Sequence, residues 1–408
     1  MEKVVFLDRD GTINREISYL YRTEDLEILP GVPRAIALLR EHGYRIVVVT
    51  NQAGVARGYY QCEDVEHLHE YLNQELKKQG AWIDEFFYCP HHPEHGVGAW
   101  KKECACRKPG TGMFEKAAEH MEIDKNASWM IGDKLLDVEA GHNFGIRGIL
   151  VGTGYGSEVQ KELTESGGKS VYDHYAETLL DAARYILEME KEENRMKVIN
   201  YLEELMERYP VLAPIQEDIW NAYEHLKTCY EGGGKLLVAG NGGSCADAEH
   251  IVGELMKGFV KKRPVSEDFA EKLTQEDPEK GLELAAKLQG GLLAIALNGH
   301  PGLSTAYLND VDGNLIYAQQ TYGYGKPGDV LLAISTSGNS RNIEYAVLTA
   351  RALGMKVIGL TGRDGGKLGK MADVSIVVPE TETYKIQELH LPVYHALCLM
   401  LEETFFEY

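Results

Sequence analysis

The 408-residue chain is 44% hydrophobic and sets 42 lysines and arginines against 63 aspartates and glutamates, a formal charge of −21. That length predicts two or three domains with well-packed cores. The charge argues against nucleic acid or an anionic membrane as partner, and an anionic substrate then needs a local cation or a metal. No segment holds the roughly 18 continuous apolar residues of a membrane helix. The run after Met1-Glu2-Lys3, Val4–Leu7, is too short for a signal peptide, so a cytoplasmic protein is expected. Of seven cysteines, Cys89, Cys104 and Cys106 crowd together, which predicts a metal site in a reducing compartment rather than a disulfide scaffold.

Short apolar runs alternate with helical patterns along the chain. Strands are expected at Val4–Leu7, Arg45–Val49, Trp129–Ile131 and Gly148–Val151, then at Lys235–Val238, Leu292–Leu297, Val330–Ile334, Lys356–Leu360 and Val374–Val378. Helices are expected at Val32–Glu41, Val65–Lys78, Met113–His120, Ala176–Leu187 and Ile343–Leu353. This alternation predicts an α/β protein with two doubly wound parallel-sheet domains, 1–190 and 191–408. The charged stretch 188–197 has no Pro or Gly and predicts a helical linker. A polar stretch, Lys261–Lys280, reads as an insertion in the second domain.

The first strand ends in Asp8-Arg9-Asp10-Gly11-Thr12. Two carboxylates this close raise each other's pKa unless a cation neutralises them, and Mg²⁺ suits both carboxylate and phosphate oxygens. Asp8 is then placed to attack phosphorus, and Asp10 to handle protons. A turn alone explains an Asp-Gly pair, but three further segments agree. Thr50-Asn51-Gln52 follows the second strand, Arg107-Lys108 supplies two cations, and Gly132-Asp133-Lys134, with Asp137 beyond, ends the strand from Trp129. In this order the four segments resemble the haloacid-dehalogenase phosphatases over about residues 1–190, and within them the heptose 1,7-bisphosphate phosphatases, with histidinol-phosphate phosphatases as neighbours.

The resemblance implies Asp8 as nucleophile and Mg²⁺ ligand, Asp10 as acid/base with its carbonyl on the metal, and Asp133 as third ligand. It implies Thr50, Arg107 and Lys108 around the transferring phosphoryl group and Lys134 on the substrate. Asn51, Gln52 and Ala53 would line the same pocket, with Glu16, Ile17, Ser18 and Tyr19 against the sugar. The expectation is that the C1 phosphate leaves and the C7 phosphate stays. Cys89, His91, Cys104 and Cys106 form two close pairs suited to tetrahedral Zn²⁺, with His92 and His95 as competing imidazoles and the resemblance favouring His91. Four protein ligands leave no open position, so this zinc would be structural, clamping the loop that leads to Arg107 and Lys108.

In the second half, Gly240-Asn241-Gly242-Gly243-Ser244 follows a strand and enters a helix, a ready anion site. Ser335-Thr336-Ser337-Gly338-Asn339-Ser340 follows another, and its hydroxyls can wrap a phosphate. Both loops resemble the sugar isomerase (SIS) domain, over about residues 196–408, and within it the phosphoheptose isomerases. His250 and Glu254 stand four apart on one helix face, spacing that suits a metal. The resemblance implies His250, Glu254, Gln387 and His395 as Zn²⁺ ligands, with Glu254 and His395 moving protons through an enediol. It implies Asn241, Gly242, Gly243, Ser244, Asn309, Asp310, Ser335, Thr336, Ser337, Ser340 and Gln387 on the substrate. It also implies a homo-oligomer, a tetramer being plausible. Pro392 predicts a kink in the last helix, His390 is a rival ligand, and Lys385 stands where an arginine is expected. The competing reading is a phosphatase of histidinol phosphate or another small ester, joined to an SIS domain that senses sugar phosphates without catalysis.

Overall fold

The computed structural model describes residues 1–166 and 171–406. The chain divides into two compact units, Met1–Glu192 and Glu193–Tyr408. The charged stretch 188–197 lies inside one helix, Leu179–Arg208, in which this division falls. The helix does not begin at Ala176 as the pattern suggested, because Ala176 closes a strand. Among the described residues, no helix is long and apolar enough to cross a membrane.

The first unit is built on six parallel strands: β1 (Val4–Leu7), β2 (Arg45–Asn51), β3 (Glu85–Cys89), β4 (Trp129–Gly132), β5 (Arg147–Val151) and β6 (His174–Ala176), in the order β3-β2-β1-β4-β5-β6. Side chains alternate across the sheet. Val5, Leu7, Ile46 and Val48 enter one core, and Val4, Phe6, Val47 and Val49 the other. Both faces are covered, which is why β1 reads as a continuous apolar run. The strands β3 and β6 escaped sequence reading. β3 is half-buried edge strand, EFFYC, without alternation, and β6 is three residues long.

The second unit has five parallel strands: β7 (Leu236–Gly240), β8 (Ala294–Ala296), β9 (Val330–Ser335), β10 (Lys356–Thr361) and β11 (Val374–Val377), in the order β11-β10-β9-β7-β8. In each sheet the chain reverses its winding beside the first strand, between β1 and β4 and between β7 and β9. Ligands in such sheets bind beyond the carboxyl ends of the strands at that reversal. The polar stretch 261–280 belongs to a helical pair, Glu267–Glu276 and Pro278–Lys287. Ser266 caps the first helix through Phe269 N, and Asp277 caps the second through Glu279 N and Lys280 N.

A buried ion pair ties the helix Gly243–Met256 to the last helix, Thr383–Phe405. Arg263 Nε donates to Glu402 Oε1 at 2.8 Å, and neither side chain is exposed. Glu402 also accepts the Phe259 and Val260 N–H groups at 2.8 and 2.9 Å. Arg263 Nη1 and Nη2 donate to the Leu255 and Glu254 carbonyls, which the end of their helix leaves open. Removing one partner strands the other charge in the core. Glu402→Ala is therefore expected to cost about 3–5 kcal/mol in urea unfolding. Burial opposes the Glu402 charge, but the two backbone N–H groups and Arg263 outweigh it and hold the carboxyl below its ordinary value. Its contribution is thus present above the unfolded pKa of about 4.3 and lost as pH falls through the lower folded value. Glu402→Gln should flatten that acid limb in a pH series of unfolding curves.

Candidate functional sites

At the reversal between β1 and β4, Asp8 and Asp133 extend from adjacent strand ends. Oxygens of Asp8, Asp133 and Asp137 all lie within 4.8 Å of one another, and all three residues are buried. Lys108 Nζ sits among them, 2.8 Å from Asp8 Oδ1 and 2.6 Å from Asp137 Oδ1. Burial pushes Asp133 up to about 7, the Asp8 charge adding to it against the pull of Lys134. Burial likewise pushes Asp137 up to about 6 against Lys108. Burial also works against the Lys108 charge, but Asp137 and Asp8 outweigh it and hold the ammonium on. Asp133 Oδ1 is buried, with no hydrogen bond and Lys134 Nζ at 3.6 Å. An all-oxygen cluster with an orphaned acceptor fits a hard divalent cation such as Mg²⁺.

Gly11 makes this approach possible. Its φ is +86°, and a Cβ there would stand 2.3 Å from Asp133 Oδ2. Thr153 Oγ1 donates to the Gly11 carbonyl at 2.6 Å, and Tyr155 N to Asp133 Oδ2 at 2.9 Å.

Asp10 points elsewhere. Its carboxylate accepts from buried Arg9, from Asn14 Nδ2 at 3.0 Å and from Gln52 Nε2 at 3.0 Å. Burial opposes its charge, yet Arg9 outweighs burial and lowers the pKa. Asp137, noted in the sequence but given no site of its own, is thus the third member of the acidic cluster, and the Asp10 carboxylate is not in it. Gln52 also donates to Thr50 Oγ1 at 3.0 Å and accepts from Tyr60 OH at 2.9 Å.

The cleft above this cluster is about 570 Å³ and is lined by Asp8, Asp10, Glu16, Ser18, Tyr19, Thr50, Asn51, Gln52, Ala53, Arg107, Lys108 and Lys134. Ile17 is not in its wall. Tyr60, Leu136, Asp137 and Tyr155 are, and no motif marks Tyr60, Leu136 or Tyr155. Lys134 Nζ is 3.1 Å from Glu16 Oε2, which ties the loop after β1 to the end of β4. Tyr19, in the wall of this cleft, holds a left-handed φ of 66°, rare for a bulky residue.

Cys89, His91, Cys104 and Cys106 offer four ligand atoms within 4.8 Å of one another, a donor set suited to Zn²⁺. His92 Nδ1 instead accepts the Glu94 and His95 N–H groups at 3.1 Å. Arg107 Nη1 donates to the His91 carbonyl at 3.1 Å, and Asn51 holds the backbone of Lys108 through N and O at 3.1 and 3.2 Å. The thiol loop and β2 therefore aim the two cations together.

In the second unit, the helix after β7 brings His250 Nε2 to 3.2 Å from Glu254 Oε1. The His395 ring lies 5.0 Å from that of His250, and His395 Nε2 is buried without a partner. Gln387 lies over Gly243, where a Cβ would stand 2.2 Å from Gln387 Nε2. His250, Glu254 and His395 do not close to within 4.8 Å as the first unit's ligands do, although a buried unpaired imidazole nitrogen beside this pair suits a metal. His390 is not with them. It is fully buried, its Nε2 is 3.2 Å from the Thr361 carbonyl, and burial pushes its pKa down to about 4. The last helix runs through Pro392 as one element, and Lys385 pairs with Glu382 at 2.6 Å.

The two loops meet at the β7/β9 reversal. Asn241 exchanges amide hydrogen bonds with Asn342 at 2.9 and 2.8 Å. Ser335 Oγ and Ser340 Oγ are 3.1 Å apart, Ser337 Oγ accepts Asn339 N, and Ser244 is buried. Gly242 turns the chain into the helix with a φ of 57°, and Thr336 is half-buried between its serine neighbours. Asn309 and Asp310 stand apart. Both are exposed and bond to each other at 2.7 Å, and neither hydrogen-bonds to either loop among the described residues.

Family models match three segments: the HAD-hydrolase-like model over residues 105–182, the polynucleotide kinase 3 phosphatase model over 3–141 and the SIS domain model over 284–362. The D-glycero-beta-D-manno-heptose-1,7-bisphosphate 7-phosphatase of Haemophilus ducreyi is 39% identical over 187 residues, 45% of this chain and 98% of that protein. The corresponding alpha-anomer 7-phosphatase of Photorhabdus laumondii is 44% identical over 154 residues, 38% of this chain and 84% of that protein. A solved phosphoheptose isomerase from Neisseria gonorrhoeae is 32% identical, covering 53% of this chain and 98% of that one, with a TM-score of 0.38. The names of these phosphatases put their own hydrolysis at position 7, where the sequence reading of this chain expects C1. The motifs around Asp8 read a phosphoryl group and carry no mark of which end of the sugar bears it. Through its first unit, fused to an SIS-type second unit, this chain belongs to the heptose-1,7-bisphosphate phosphatase family.

Proposed function

We propose that the chain is a bifunctional heptose enzyme. Its first unit removes the 7-phosphate of D-glycero-D-manno-heptose 1,7-bisphosphate. Its second interconverts sedoheptulose 7-phosphate and D-glycero-D-manno-heptose 7-phosphate. The observation that carries the first activity is Asp8 at the β1 end, one oxygen on Lys108, facing a cleft walled by Thr50, Arg107 and Lys134. The order of reactions supports position 7. Loss of the C1 phosphate would return the isomerase's own product, heptose 7-phosphate, whereas loss of the 7-phosphate carries the sugar onward as a 1-phosphate. A kinase-type reaction, supplied elsewhere, must stand between the two steps.

In the first unit, the free oxygen of Asp8 attacks phosphorus, and the bond from phosphorus to the sugar oxygen breaks. Asp10 gives that oxygen its proton. Water then cleaves the aspartyl-phosphate, and Asp10 takes the water's proton. In the free protein Arg9, Asn14 and Gln52 keep Asp10 ionised. An arriving phosphate dianion raises its proton affinity and readies it as an acid. Asp8 and Asp133 would hold Mg²⁺, which would supply positive charge beside the transferring phosphoryl group. Arg107 and Lys108 steady the equatorial oxygens, and Lys134, with Glu16, Ser18 and Tyr19, meets the sugar. In the second unit, Glu254 moves a proton from C1 to C2 while His395 moves one from O1 to O2. The Gly240–Ser244 and Ser335–Ser340 loops hold the phosphate; His250, Glu254, Gln387 and His395 would hold a metal, which would supply Lewis-acid character on the carbonyl side.

Asp8→Asn should lower phosphate release from the bisphosphate by at least about 10³-fold, as loss of a nucleophile does. Conversion of sedoheptulose 7-phosphate, followed by aldose formation, should continue. Loss of both activities together would contradict two independent sites, and ³¹P NMR on the wild type should show the 7-phosphate signal disappearing. Histidinol phosphate in the same assay tests the competing substrate, and a higher rate on it would contradict the heptose reading. Cys106→Ser should cost zinc from the thiol loop and lower the phosphatase rate about 10–100-fold by misaiming Arg107. Zinc analysis beside both assays should find the isomerase rate unchanged.

A further inference from the structure

His250 is held from behind by two residues that no motif singles out. Its Nδ1 is 3.0 Å from Tyr394 OH, and Tyr394 OH donates to Asp247 Oδ1 at 3.3 Å. Asp247, His250 and Glu254 follow one face of the helix Gly243–Met256, while Tyr394 reaches them from the last helix. Tyr394 is 2% exposed, so water does not compete for its hydroxyl.

The direction of these bonds follows from the donors available. A phenol has one proton. Among the described residues, Asp247 Oδ1 receives only Tyr394 OH, and Asp247 Oδ2 is buried with no partner. A proton turned toward His250 would leave the carboxylate with no hydrogen bond from a described residue. The proton therefore goes to Asp247, the phenol oxygen accepts, and His250 Nδ1 must be the N–H. The opposite nitrogen, Nε2, faces Glu254 Oε1 at 3.2 Å. A bare imidazole nitrogen and a carboxylate oxygen at that distance need a positive charge between them, either a proton or a metal.

We propose that Asp247 and Tyr394 form a positioning relay that fixes His250 with its proton on Nδ1 and its Nε2 lone pair aimed at the divalent metal of the isomerase site. Partners of this kind orient a ligating imidazole and raise its basicity. The inference rests on the isomerase reading of the second unit. Tyr394 and Asp247 touch neither the sugar nor its reacting carbons; they act through His250.

The test is Zn²⁺ titration of the full chain against a chromophoric chelator, with His250→Ala defining the zinc bound elsewhere. Tyr394→Phe keeps the ring and removes the hydroxyl. It should weaken the His250-dependent site about 10–100-fold and lower isomerase kcat more than it raises KM, with the phosphatase rate and melting temperature unchanged. Tyr394→Phe/Asp247→Asn should lose little beyond the larger single effect, because the two act in one chain. In metal-free protein carrying ¹⁵N-histidine, His250 should show a protonated Nδ1 in the wild type and mixed tautomers in Tyr394→Phe. Unchanged zinc affinity in Tyr394→Phe, or a wild-type His250 with a bare Nδ1, would overturn the relay. Equal zinc binding by wild type and His250→Ala would instead overturn the metal reading of the site beneath it.

Discussion

Three buried carboxylates crowded at one sheet end are the constraint around which the first unit is arranged. Asp8, Asp133 and Asp137 repel one another in a medium that screens poorly. The fold meets that repulsion with one buried ammonium, Lys108, and leaves room for more positive charge. Much of the surrounding structure serves the placement of Lys108. Asn51 grips its backbone, and the His91 carbonyl steadies Arg107 beside it. A site with too many negative charges for its own cations suits a divalent metal. The chain's overall charge of −21 makes that local inversion necessary.

The second unit solves a different problem, holding two helices at a fixed separation. One carries His250 and Glu254, the other Gln387 and His395. The Arg263–Glu402 pair fastens them at one end, and the Tyr394 bridge joins them at the level of His250. Both links are buried and directional, so they set spacing and rotation together. Its Gly240–Ser244 and Ser335–Ser340 loops carry hydroxyls and helix N-termini rather than basic side chains, in contrast to the first unit.

Chemistry-bearing motifs were legible wherever they sat next to an apolar strand. Asp8, Thr50, Asp133, Gly240 and Ser335 all follow or end such runs, and the parallel-sheet architecture follows from the same alternation. The strands β3 and β6 were not legible, because an edge strand needs no alternating face and a three-residue strand leaves no pattern. Residues that enter a site from a distant loop, Tyr60 and Tyr155, gave no signal, since their spacing from the motifs carries no periodicity. The Asp10 carboxylate's turn toward Arg9 was equally hidden: in the sequence it looks like a partner of Asp8, and only packing brings a buried guanidinium, Asn14 and Gln52 onto it. Which phosphate leaves was not legible either, since a phosphoryl site reads the same group at either end of a sugar.

One chain joins a phosphatase that depends on excess negative charge to an isomerase that depends on helix spacing. The phosphatase reading turns on covalent phosphorylation of Asp8. The most direct measurement is acid quench of the enzyme during turnover of the bisphosphate, borohydride reduction of any acyl-phosphate, and peptide mass spectrometry. Homoserine is expected at position 8, with unmodified aspartate at 10, 133 and 137. Homoserine at another of these positions, or none under turnover, would contradict Asp8 as the nucleophile.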